Sequence, residues 1–156
     1  MNKKIILGLF LVLIAVMAIG SASALDLGSL LGGDDAENQT VTIDGIDFNI
    51  PAGFKENKQE ETVSEMQQIG DVNYTTNGKV FENGTDCVAI LVADYGQYKV
   101  TDEIAASVGG EAKTFNGVKG YFTTDGEYKV FDYAKDDKLV VISATNEDSI
   151  ADFIIG

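Results

Sequence analysis

The chain has 156 residues and a formal charge of −14, with 25 Asp and Glu against 11 Lys and Arg, no His and a single Cys. That balance excludes a typical binder of the phosphate backbone, which displaces counterions with many Lys and Arg, so no nucleic-acid partner is expected. The missing His removes most zinc sites and every His-dependent acid–base mechanism, and one Cys cannot make an internal disulfide.

Lys3 and Lys4 precede an apolar run from Ile5 to Ile19, which Gly20-Ser21-Ala22-Ser23-Ala24 follows. The run is short for a spanning helix of about 20 residues, and Ala22-Ser23-Ala24 supplies the small residues that a signal peptidase cuts after. Residues 1–24 are therefore predicted to be a secretory signal, with an uncleaved anchor as the rival reading. The expected location is extracellular or on the outer face of the cytoplasmic membrane, with membrane contact only through the signal segment if it is uncleaved. No Cys follows the run closely, so a lipid-modified amino terminus is not expected. Residues 25–156 hold all 25 acids and nine Lys, a formal charge of −16 that also disfavours anionic lipid headgroups.

Residues 25–40, with Gly32-Gly33 and Asp34-Asp35, show no sustained period and are predicted to be a tether. Leu25, Leu27, Leu30 and Leu31 fit either docking on the domain or, without cleavage, continuation of an anchor helix. A single domain over 41–156 follows. Val41 to Ile43, Asp44-Gly45 and the alternating Ile46 to Ile50 predict a first hairpin, which Pro51 ends. Thr62-Val-Ser-Glu65 has a capping-box pattern, with Val63, Met66 and Ile69 on one side and Gly70 as a stop, and predicts a short helix within 60–70. Asn77-Gly78 and Asn83-Gly84 predict two more hairpin turns on the way to the run from Asp86 to Tyr95.

Thr101-Asp102-Glu103 opens a helix that Gly109-Gly110 closes. From Lys113 to Ala144, turns at Asn116-Gly117, Asp125-Gly126 and Lys135-Asp136-Asp137 predict a four-stranded antiparallel meander. Thr145-Asn-Glu-Asp148 starts a last helix whose Ile150, Phe153 and Ile154 form an apolar stripe. Cys87 to Ala93 and Leu139 to Ala144 are apolar on both faces and belong at the centre of a sheet with both sides at least partly covered. The fold class is therefore α+β, an antiparallel sheet with a C-terminal meander, covered by two or three short helices in a sandwich resembling α/β/α.

Nothing in the sequence names a catalytic residue, a cofactor or a metal ligand. Cys87, inside an apolar strand and without a His to activate it, is expected to be buried and inert. Asn38, Asn73 and Asn83 open Asn-x-Thr sequons in segments assigned to the tether, a loop or a turn, and are glycosylation candidates. Tyr95, Gln97 and Tyr98, after a central strand, are a candidate ligand surface, although aromatics at strand ends more often edge a core. Two functions stay open: a non-enzymatic envelope or secreted domain, binding or structural, whose partner is an envelope protein or glycan, and a hydrolase of envelope polysaccharide that works with two carboxylates.

Phe48-Asn-Ile50-Pro51-Ala52-Gly53-Phe54 resembles the Phe-x-Ile-Pro-x-Gly-Phe segment that opens small exported proteins of methanogenic archaea. Phe131-x-Tyr133 and Lys138-Leu-Val-Val-Ile142 are similar to the tail of the same proteins. The order of elements also resembles the α/β/α sandwich of the PsbP, Mog1 and DcrB-like proteins. These resemblances imply an exported location and a fold, and no reaction.

Overall fold

Tight turns that need positive φ set the register of this protein. The computed structural model describes residues 38–156, with the side chains of residues 62–65 excepted. The expected signal peptide and tether residues 25–37 lie outside the described residues. β1 (Gln39–Ile43) and β2 (Ile46–Ile50) form the first hairpin, with Ile43 opposite Ile46. Asp44 and Gly45 between them have φ of 48° and 82°, the pair whose twist matches that of the flanking strands. Gln39 and Thr40 thus belong to a strand rather than to the tether.

The chain continues through β3 (Lys55–Glu56), β4 (Thr62–Ile69), β5 (Val72–Glu82), β6 (Cys87–Asp94), α1 (Asp102–Val108), β7 (Glu111–Phe115), β8 (Val118–Asp125), β9 (Tyr128–Lys135), β10 (Lys138–Ala144) and α2 (Glu147–Phe153). The large sheet has the order β3-β5-β6-β10-β9-β8-β7, every neighbour antiparallel, and β4 also pairs with β5. β7 to β10 are the expected meander. Its β8–β9 turn is centred on Gly126 and Glu127, one residue later than the Asp-Gly pair suggests, with only Gly126 at positive φ. The β9–β10 turn uses Asp136 and Asp137 at 50° and 64°, a conformation that Asp tolerates better than most residues.

Two local readings are corrected. Residues 62–69 are strand β4, not a helix, and Gly70-Asp71 is a hairpin turn that sends the chain back as β5, with Gly70 at φ 59°. Asn77-Gly78 makes no turn: both residues lie inside the 11-residue β5, where Asn77 pairs with Val92 and Gly78 with Leu91 on β6 and Thr62 on β4. Hydrogen bonds from both neighbours hold the backbone extended and outweigh the local turn preference.

Alternation sorts the central strands onto two faces. The first carries Phe81, Val88, Ile90, Val92, Phe131, Tyr133, Val140, Ile142 and Ala144, packed against Ile43, Ile46, Phe48 and Ile50 of the hairpin and Ile150, Phe153 and Ile154. Phe153 is fully buried, with its ring edge-on to Phe54 at 5.0 Å and 5.5 Å from Phe81. Gly120 makes room here, since a Cβ would sit 2.5 Å from the ring of Phe131 and from the Asp132 carbonyl. α2 is held at both ends. The Asn146 side chain accepts from the Asp148 amide, while Asn49 and Asn116 donate Nδ2 to the carbonyls of Asp152 and Ala151, each at 2.6 Å. Phe48 and Ile154 add a bridge between β2 and the chain after the helix.

The second face carries Val72, Tyr74, Leu91, Ala93, Tyr95, Leu139 and Val141, with Val100, Ala105 and Val108 packed on it. Its helix, α1, lies on β8 and β9. One helix therefore sits on each side of the sheet.

Candidate functional site

α1 starts beside the β9–β10 turn, where the Val100 amide donates to the Asp137 carbonyl at 2.9 Å, and ends against β8. A Cβ on Gly110, which follows it, would sit 2.6 Å from the Phe122 carbonyl. The opposite end of this face, toward the β5–β6 and β8–β9 turns, carries Val80, Cys87, Ala89, Thr123, Tyr128 and Val130, all half-buried. Cross-strand pairing puts these side chains on one surface, because Val80 is opposite Ala89, Thr123 opposite Val130 and Glu82 opposite Cys87. Burial first, then Cys87 and Glu127, push the Tyr128 hydroxyl up.

Cys87 is half-buried, where full burial was expected. Its backbone amide donates to Thr145 Oγ1 at 3.0 Å. Burial, with smaller contributions from Glu82 and Glu60, pushes the thiol up to about 11, so the nucleophilic thiolate is scarce at neutral pH.

The expected surface of Tyr95, Gln97 and Tyr98 does not form as a unit. Tyr95 is 3% exposed and stacks on Tyr74 at 5.1 Å, inside the second core. Gln97 and Tyr98 are exposed on the loop, Tyr98 at 39%. Tyr95 turns inward because strand alternation continues through Leu91 and Ala93 to its position.

The carboxylates that converge do so around lysines. Lys79 Nζ is 2.6 Å from Glu56 and 3.1 Å from Glu61, and Lys138 Nζ is 3.1 Å from Asp44 and 3.7 Å from Asp94. Burial lowers Lys79, but its hydrogen bonds to the two glutamates outweigh this and raise it. Lys138 also donates to the Asp44 carbonyl at 2.6 Å and pins the β1–β2 turn to the sheet. Asp132 differs from these acids. It is 3% exposed on the second face, between Tyr121 and Val141, and burial pushes its carboxyl up to about 7. A value near neutrality suits a general acid, but this carboxyl is packed within the sheet, away from dissolved substrate.

Asn38, Asn73 and Asn83 are all exposed. Asn38 precedes β1 and its side-chain oxygen accepts from the Ala52 amide at 3.0 Å. Asn73 lies in β5, paired with Gln68. Asn83 heads the β5–β6 turn, where its Oδ1 accepts from the Thr85 amide and hydroxyl, each at 3.0 Å, and from the Asp86 amide at 2.8 Å.

Among the described residues no group of three or more Cys, Asp or Glu is gathered closely enough to hold a metal ion, and no helix is long and apolar enough to cross a membrane. Fold and surface define an α+β domain with one face of its antiparallel sheet covered along the central strands β6 and β10 and the other left half-open at the Cys87 end of β6. In comparisons with known proteins, the chain matches no family model, no curated protein and no solved structure.

Proposed function

We propose that the chain is an exported, non-enzymatic domain of the cell envelope, secreted or held outside the cytoplasmic membrane, that binds a partner through the half-open end of its second face. The observation that carries this reading is the unequal cover of the sheet, which leaves Val80, Cys87, Ala89, Thr123, Tyr128 and Val130 half-buried on one surface. A phenol and a hydroxyl set among small apolar groups suit a neutral glycan, which stacks its apolar sugar face on a ring and hydrogen-bonds at the edge. The formal charge of −16 on residues 25–156 disfavours an acidic partner.

Binding of the purified protein to native envelope material tests this reading. Tyr128→Ala should weaken binding at least ~10-fold, a loss of about 1.4 kcal/mol, with the unfolding midpoint little changed. Undiminished binding would exclude this surface. Binding that disappears when the envelope is treated with protease would replace the glycan with a protein partner. Export is checked separately by amino-terminal sequencing of native material. A start at Leu25 is expected, and an intact Met1 on protein outside the cell would replace the cleaved signal with an anchor.

A further inference from the structure

We infer that Asn83 is an N-glycosylation site and that the three sequons of this chain are not equivalent. The inference rests on the export reading above, because the transfer of a sugar to an Asn-x-Thr sequon takes place on exported chains. Asn83, Gly84 and Thr85 are all exposed at the tip of the β5–β6 hairpin. Gly84, at φ 92°, lets the backbone fold so that residues two apart meet. The result is a sequon whose two recognition side chains touch, with the Thr85 hydroxyl donating to Asn83 Oδ1 at 3.0 Å. All three donors fall on the oxygen, and Asn83 Nδ2, the atom a glycan is attached to, has no partner among the described residues.

The other two sequons are held differently. Asn73 and Thr75 lie in the extended β5, where residues two apart are roughly 6.5–7 Å from each other along the strand and Thr75 is half-buried. The Asn38 oxygen is tied to Ala52, across the chain from Thr40, and Thr40 is paired in β1 with Asn49. Only at Asn83 does a loop present both side chains together to solvent.

The co-substrate is an oligosaccharide joined through its anomeric carbon to a phosphate-bearing carrier. Nδ2 bonds to that carbon, the bond from the carbon to the phosphate oxygen breaks with its electrons staying on the phosphate, and one Nδ2 proton passes to a base. The Asn83 side chain remains an amide.

The test is peptide mapping by mass spectrometry on the full chain made in its native cells. Cleavage after lysine separates the sites, since residues 80–99 contain only the Asn83 sequon and residues 59–79 only that of Asn73. A sugar mass is expected on the 80–99 peptide. It should vanish in Asn83→Gln and in Thr85→Ala and persist in Thr85→Ser, which keeps the hydroxyl. An unmodified 80–99 peptide from protein recovered outside the cell overturns the site and leaves the export reading standing. The same unmodified peptide from protein retained inside with Met1 intact overturns both. Sugar on Asn73 or Asn38 with Asn83 bare overturns the preference argued here.

Discussion

The face under the β1–β2 hairpin and the face under α1 share the same central strands, yet they are closed by different means. On the first, two elements from opposite ends of the described chain meet over an aromatic core, with Phe48, Phe131 and Phe153 fully buried and Asn49 and Asn116 securing the carbonyls of α2. On the second, a seven-residue helix contributes Ile104, Ala105 and Val108, and the Thr101 side chain does not cap it. A short helix whose most deeply buried residue is Ala105, with Val108 at its edge and Ile104 half-buried, offers little transfer free energy, so the second face should be the weaker of the two and the easier to open. Stability should therefore sit mainly on the first side of the sheet.

The largest break in this comparison is expected from Phe153→Ala. Truncating a fully buried Phe costs ~3–5 kcal/mol with its cavity included, a large share of the roughly 5–15 kcal/mol of a small domain. A urea midpoint measures it. A loss below ~1 kcal/mol would mean that α2 does not hold the first face.

Asp132 tests the second face through pH. Its carboxyl is raised from an ordinary 3.8 to about 7 by burial, so between these values the folded protein keeps a proton that the unfolded chain has released. Its contribution to stability is full below about pH 4, declines as pH rises toward 7 and is lost above that. The decline is about 4 kcal/mol at most, at 1.36 kcal/mol per pKa unit. Asp132→Asn keeps the shape and removes the charge. The difference between wild-type and variant stability should therefore grow in the variant's favour from pH 4 to 7 and stay level at higher pH. A pH-independent difference would show that the carboxyl is solvated and that α1 does not seal it.

Val108→Ala, which trims the buried end of α1, should cost about 1.5 kcal/mol for two methylene equivalents. Hydrogen exchange should show the loss concentrated in α1 and in the facing parts of β8 and β9, with β1 and β2 unaffected. Exchange that rises equally on both sides would mean that the faces open together. The smallest effect on stability belongs to Cys87. A thiol raised from 9.0 to about 11 holds about 100-fold less thiolate at pH 8, so alkylation should be slower by about that factor in the folded protein than in denaturant. Equal rates would place the thiol in open water.

The readings that failed share one cause. Thr62 to Ile69 has helix-start chemistry, and Asn77-Gly78 has turn chemistry, but both segments belong to a hairpin whose backbone pairs along its length. Met66, assigned to an apolar helix stripe, is 70% exposed. A local pattern cannot report that a partner strand, distant in sequence, will supply hydrogen bonds. Of the two readings open for Tyr95, the core edge is the one the structure shows, with Tyr74 arriving from β5 to stack on it. Asn83 was legible as Asn-Gly-Thr, and its turn followed from the same residues.

The sequence by itself determined the first hairpin, the Asn83-Gly84 turn, the meander, both helices and the central place of Leu139 to Ala144, since each depends on φ preferences or on apolar periods within a few residues. Only the tertiary structure decided that β10 would lie beside β6, that the two helices would take opposite faces, and that Asp132 would be buried on the face of α1 while Cys87 and Tyr128 stay half-covered. Those outcomes depend on which strands become neighbours and on how far a short helix reaches across them, and neither quantity is carried by any single stretch of the chain.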